Sequence, residues 1–230
     1  MERLILFDID GTLLRTQNGY IPFNQAISKT FGLDGDIRTV IPDGKTDPKI
    51  VEEIFAKRNI HLDFTADHWQ QFAAHLLDAY AEATQARMTT IKALPGVIEL
   101  LVTLEQSRLF GQGVVTGNLQ GSAAIKLEAA GLHGYISFGA YGSDSAHRPD
   151  LPAIARQRWQ NASGRTVDEA ECVIIGDTPW DLDAARMNRM KCVLVGTGRY
   201  PIEELRYLEP DACLADLTET DEVINLLRTI

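Results

Sequence analysis

The chain has 230 residues, 45% of them hydrophobic and 23% charged, with a formal net charge of -10. This composition excludes a wholly disordered chain, and the acidic balance argues against nucleic acid or an anionic membrane as partner. Cys172, Cys192 and Cys213 are an odd number without short spacing, which fits neither a disulfide framework nor a zinc site, and no apolar run approaches the roughly 20 residues that span a bilayer.

Strand-like residues begin at Leu4 without a leader pattern, so the cytoplasm is the expected compartment. Leu4-Ile5-Leu6-Phe7 reads as a buried strand. From Leu14 to Pro95, about 80 residues show no convincing strand, far more than a crossover connection needs. That stretch reads as helical. Pro22 to Phe31 forms one helix. Asp47 as N-cap and Pro48 in the first turn open a second, running to about Arg58. Thr65 to about Met88 forms a third, with Trp69, Phe72, Leu76 and Tyr80 spaced by three and four. These apolar residues are expected to build the segment's own core, with an interface between copies as the alternative.

Beyond Pro95 the rhythm changes. Gly96 to about Ser107 reads as a helix with Val97, Leu100, Leu101 and Leu104 inward. Gly113-Val114-Val115 is a strand, and Ser122 to Ala130 a helix. Tyr135 to Phe138 reads as a further strand, and Pro149 to about Asn161 as a helix. Cys172 to Ile175 and Cys192 to Val195 are strands, separated by a helix from Pro179 to Asn188. Ala212-Cys213-Leu214 fits a short edge strand. Thr218-Glu219-Thr220-Asp221 resembles a capping box opening the last helix. Apolar strands alternating with helices define an α/β class with a Rossmann-like parallel sheet. The expected division is a catalytic core of residues 1–14 and 89–230, with residues 15–88 as an inserted α-helical subdomain.

Four clusters could carry chemistry, and each follows a strand or opens a helix. Asp8 and Asp10 stand two apart at the end of the first strand, so an extended chain presents both carboxylates to one crevice. One could attack while the other moves a proton, or both could share a cation. Thr116-Gly117-Asn118 offers a hydroxyl and a glycine N–H ahead of a helix, a natural phosphate cradle. Arg148 could clamp a phosphate through its planar fork. Asp177 stands at a strand end and Asp181 in the following helix, a pair suited to holding a hard cation. His147, beside Arg148, is not expected to act in catalysis.

These residues resemble the haloacid dehalogenase-like superfamily. Asp8-Ile9-Asp10-Gly11-Thr12-Leu13 is similar to its first motif and Thr116 to its second. Arg148 stands where the third usually has lysine, and Gly176-Asp177 through Asp181 is similar to the fourth. The insert resembles the helical cap of phosphoglycolate phosphatase and β-phosphoglucomutase types. The resemblance implies that Asp8 forms an aspartyl-phosphate and that Asp10 is the acid and base. It implies a Mg2+ site drawn from Asp8, Asp10, Asp177 and Asp181. Phosphate contacts would come from Gly11, Thr116, Gly117, Asn118 and Arg148. Dehalogenases of the superfamily lack an acid at the Asp10 position, so phosphoryl chemistry is expected.

The cap loop Asp43-Gly44-Lys45-Thr46-Asp47 resembles the Gly-x-Thr-Asp loop of phosphoglycolate phosphatase-like caps. Lys45 there would meet substrate, with Arg15 and Asn18 as further candidates. The expected activity is a magnesium-dependent phosphatase acting on a small phosphorylated metabolite, such as 2-phosphoglycolate or a similar phospho-acid. The alternatives are a phosphomutase of the β-phosphoglucomutase type and a non-catalytic regulatory domain. The expected assembly is a monomer or homodimer.

Overall fold

The computed structural model describes residues 3–107 and 109–230. Its centre is β1 (Arg3–Phe7). On one side lie β4 (Phe110–Val115) and β5 (Gly139–Ala140), and on the other β6 (Cys172–Gly176), β7 (Lys191–Val195) and β8 (Ala212–Leu214). All pairings are parallel, in the order β5-β4-β1-β6-β7-β8. Successive residues of a strand face opposite ways, and here the alternation divides two apolar cores. Ile5, Phe7, Val173, Ile175, Val193 and Val195 enter one. Leu4, Leu6, Cys172, Ile174, Cys192 and Leu194 enter the other. Burial on both faces explains why these strands read as unbroken apolar runs.

Helices α4 (Val97–Gln106), α5 (Gln120–Ala129), α6 (Leu151–Ser163), α7 (Pro179–Met187), α8 (Ile202–Arg206) and α9 (Thr220–Thr229) complete the sandwich. The chain leaves β1 for β4 on one side and returns to β6 on the other. The topological switch point therefore lies at the carboxyl end of β1, where open α/β sheets place their ligands.

Between β1 and α4 run α1 (Tyr20–Phe31), α2 (Asp47–Lys57) and α3 (Ala66–Gln85). Phe31 packs edge-on against Phe55, Phe64 and Trp69, and Trp69 stacks on Phe64 at 5.0 Å. The apolar residues of α3 thus face this segment's own core. The segment is not strand-free, contrary to the sequence expectation. β2 (Leu14–Gln17) and β3 (Thr90–Ala93) form an antiparallel ribbon across its two ends. Each has four residues, with Arg15, Gln17, Thr90 and Lys92 left half or wholly exposed, so the apolar alternation is too short to announce a strand.

Three further expectations need correction. Tyr135 to Phe138 is not a strand. His133–Tyr135 is a 3-10 turn, and Gln112 Nε2 donates to the Tyr135 carbonyl. Pairing to β4 begins where Val114 N–H donates to the Phe138 carbonyl, so the ladder starts later and β5 is two residues long. Asp47 is not an N-cap, because Thr46 holds that position and Asp47 is the first helical residue. Thr218 does not form a capping box. Its hydroxyl donates to Asp216 and α9 starts after Glu219.

β4 is interrupted by two glycines because aromatic rings lie against its backbone. A Cβ at Gly113 would stand 2.4 Å from the Phe138 ring, whereas one at Gly134 meets nothing within 4 Å. Gly113→Ala should therefore lose about 1–3 kcal/mol in urea unfolding, despite alanine's better backbone entropy, while Gly134→Ala should be near neutral. Equal stabilities for the two would contradict this packing.

Candidate active site

Asp8 follows β1, and its N–H donates to the Ile175 carbonyl of β6 at 2.8 Å, which fixes it between the two strand ends. Arg148 reaches it from the 3-10 turn before α6, its Nη2 donating to Asp8 Oδ1 at 2.8 Å. The same nitrogen donates to Asp181 Oδ1. All three side chains are buried, as is Asp177. Arg148 Nε is buried and makes no hydrogen bond within the protein.

Burial pushes the Asp8 carboxyl up to about 7, opposed by Arg148 and reinforced by Asp181. Burial, then the Asp8 and Asp181 charges, pushes Asp177 up to about 9. Desolvation is the main cause of both shifts, and the neighbouring carboxylates add to it. Arg148 is driven the other way: burial opposes its charge, but Asp181 and Asp8 hold it firmly protonated.

The donor chemistry of Asp8 and Asp177 fits a hard divalent cation, since magnesium takes one or two carboxylates and completes its shell with water and carbonyl oxygens. Among the described residues no group of three or more His, Cys, Asp or Glu side chains converges on one point, which the same preference accommodates. Asp177 is enclosed by backbone. A Cβ at Gly11 or Gly198 would stand 2.5 or 1.6 Å from its Oδ2, and Thr12 Oγ1 donates to its Oδ1 at 3.1 Å.

Two expected residues are engaged otherwise. Asp181 Oδ2 accepts from Thr178 N–H and Oγ1 in a capping box on α7, and its Oδ1 holds Arg148. In this arrangement it positions the guanidinium and the helix start. Gly11 N–H donates to the Leu14 carbonyl, and its own carbonyl accepts from Thr197 Oγ1. At φ +90° its contribution is room for Asp177 rather than a phosphate contact.

Asp10 is gripped from three sides. Its Oδ2 accepts from Lys126 Nζ at 2.7 Å and Asn118 Nδ2 at 2.8 Å, and its Oδ1 accepts from Thr16 Oγ1 at 3.1 Å. Desolvation works against its charge, but Lys126, Asn118 and Thr16 outweigh it, so the carboxyl titrates below its ordinary value. Thr116 Oγ1 accepts from Asn118 N–H and Nδ2, which leaves its own O–H to donate. The sequence expectation missed Lys126 and Thr16. Lys126 stands four residues after Ser122 and three after Ala123, on the inward face of α5, and that placement was the available signal.

The loop before α2 closes the site from above. Asp47 N–H donates to the Gly117 carbonyl, and Asp47 Oδ2 accepts from Leu119 N–H at 2.9 Å. Thr46 Oγ1 donates to the Ala146 carbonyl. Gly117 has no room for a Cβ, which would lie 2.0 Å from the Lys45 carbonyl oxygen. A cavity of about 480 Å³ remains between the two sides. Asp8, Asp10, Thr116, Gly117, Asn118, Lys126 and Arg148 line its floor, and Tyr20, Phe23, Ile37, Val40 and Ile50 are among the residues opposite. Lys45 lines it too but is ion-paired with Glu53. Arg15 and Asn18 instead donate to the Thr197 and Met88 carbonyls. His147 is exposed, bonded to Asp150.

Residues 5–195 match the model of a family described as haloacid dehalogenase-like hydrolase. The chain is 29% identical to Probable phosphatase IndB of Dickeya dadantii, over 95% of this chain and 92% of that one. It is 27% identical to a phosphoglycolate phosphatase of Rhodospirillum rubrum, over 89% and 85%. The fold is similar to CbbY from Rhodobacter sphaeroides, solved in complex with phosphate, with a TM-score of 0.66 and 19% identity over 95% of this chain and 96% of that one.

Asp177 holds a proton in the fold up to about pH 9, against 3.8 for an ordinary aspartate. The folded form thus binds more protons than the unfolded form across that window, and stability falls as pH rises through it. Asp177→Asn should raise the melting temperature of metal-free protein at about pH 8, and the gain should shrink as the pH approaches about 4. Added Mg2+ should stabilise the wild type and not the variant. A variant less stable than wild type at about pH 8 would contradict the charge crowding.

Proposed function

The chain belongs to the haloacid dehalogenase-like hydrolase family, and we propose that it is a phosphatase that hydrolyses a small phosphate monoester through a covalent phosphoryl group on Asp8. The observation that carries this reading is that Asp8, Asp10 and Arg148 line one cavity of about 480 Å³ at the carboxyl edge of the sheet, with Asp177 at the end of the neighbouring strand β6. Asp8 oxygen attacks phosphorus as the ester P–O bond breaks. Asp10, once it has taken up a proton, gives it to the departing oxygen, so an alcohol leaves, and Lys126, Asn118 and Thr16 favour the charged carboxylate that results. The Asp10 carboxylate, which Lys126, Asn118 and Thr16 hold, then takes a proton from water. The water oxygen bonds to phosphorus, releasing orthophosphate and restoring Asp8.

Arg148 holds Asp8 for attack, and its guanidinium, which lines the cavity, supplies positive charge for a phosphoryl oxygen. The Thr116 hydroxyl and the loop through Asn118 supply further donors. Asp8, Asp177 and the Asp10 backbone carbonyl would hold the magnesium ion, which neutralises phosphoryl charge when bound. Residues 15–88 act as the cap, with Thr46 and Asp47 seating their loop on the core and excluding water. A phospho-acid such as 2-phosphoglycolate is the first substrate to test, because the relative from Rhodospirillum rubrum is named for phosphoglycolate.

A panel of phosphate esters with Mg2+ should show orthophosphate release by wild type, background release by Asp8→Asn, and loss of activity in chelator that Mg2+ restores. Isomerisation of a sugar phosphate without phosphate release would replace this reading with a mutase. Full activity in Asp8→Asn would remove the covalent step.

A further inference from the structure

Lys126 lies on α5, away from the strand-end clusters, yet it is buried. A lysine in that position needs partners, and it has them on three separate segments. Its Nζ donates to Asp10 Oδ2 and to Asn118 Oδ1, each at 2.7 Å. It also sits 5.3 Å from the centre of the Tyr80 ring on α3, a cation–π distance. Asp47, at the start of α2, adds a further negative charge nearby. Asn118 completes a closed triangle, since its amide nitrogen donates to the Asp10 oxygen that Lys126 also holds. Lys126 therefore joins the loop after β1, the loop after β4 and a helix of residues 15–88.

We propose that Lys126 is the positioning residue of Asp10, fixing its carboxylate for proton transfer only while Tyr80 of the helical segment is seated against it. This rests on the reading of Asp10 as acid and base. When Asp10 hands its proton to the leaving oxygen, negative charge develops on its carboxylate beside the Lys126 ammonium. A cation already in place stabilises that charge without reorganisation. The benefit belongs to the step that needs a proton, so it depends on the leaving group.

The test uses two esters with wild type, Lys126→Met, Asp10→Asn and the double variant. Glycerol 3-phosphate has an alkoxide leaving group that must be protonated, and p-nitrophenyl phosphate has one that leaves as the anion. Lys126→Met should lower kcat/KM for the alkyl ester by about 10²-fold, with a much smaller loss for the aryl ester. It should add no further loss in the Asp10→Asn background. Equal losses on both esters, or additive losses in the double variant, would overturn the proposal. If Asp10→Asn itself shows no preference between the esters, the acid–base reading fails instead. Should Lys126→Met fold poorly, Lys126→Arg keeps the charge and displaces its head, and wild-type rates on both esters in that variant would also overturn it. Tyr80→Ala should reproduce the alkyl-selective loss in milder form, and an unselective loss there would remove the helical segment from the proposal.

Discussion

The site depends on a guanidinium buried between carboxylates. Arg148 holds Asp8 and Asp181 with one nitrogen, and Asp177 adds a third acid to the same enclosed volume. Removing these charges from water costs several kcal/mol per ion unless partners replace the hydration. Burial above all, with the neighbouring acids adding to it, raises the Asp8 and Asp177 carboxyls. The parallel sheet sustains this arrangement because three of its elements end at the same edge. β1 delivers Asp8, β6 delivers Asp177, and the turn before α6 swings Arg148 between them. In the proposed reading, a bound cation would take the place of the protons that burial favours on Asp8 and Asp177.

A second, milder network surrounds Asp10. Its three donors come from α5, from the loop after β4 and from β2. Two of these positions touch the helical segment or its connecting ribbon, so the acid–base group is sensitive to how that segment is seated. Gly44 and Gly117 permit the seating: a Cβ at Gly44 would lie 2.2 Å from the Trp180 ring, and one at Gly117 would collide with the Lys45 carbonyl. Asp10 is thus held partly by groups that contact the helical segment, whereas Asp8 is fixed between two strand ends.

Much of this was legible in the sequence, for physical reasons. Strands buried on both faces must be continuously apolar, so β1, β6 and β7 announced themselves. Chemistry-bearing residues sit directly after such strands, so Asp8, Asp10, Thr116 and Asp177 could be read from position. The ribbon of β2 and β3 was not legible, because four-residue strands with exposed polar alternates carry little pattern. Asp47 looked like an N-cap, and its bond to Leu119 is a contact 72 residues away that local chemistry cannot report. Gly11 looked like a phosphate donor, but a turn takes its amide. Lys126 escaped because a lysine within a helix reads as solvated, and only its placement on the inward face betrays the network.

The central claim is that two successive in-line displacements occur at phosphorus, first by Asp8 and then by water. The stereochemical course of hydrolysis, followed with a substrate chiral at phosphorus, tests it most directly. Two displacements through Asp8 predict overall retention of configuration. Inversion would mean that water attacks the ester directly, and would contradict the covalent account.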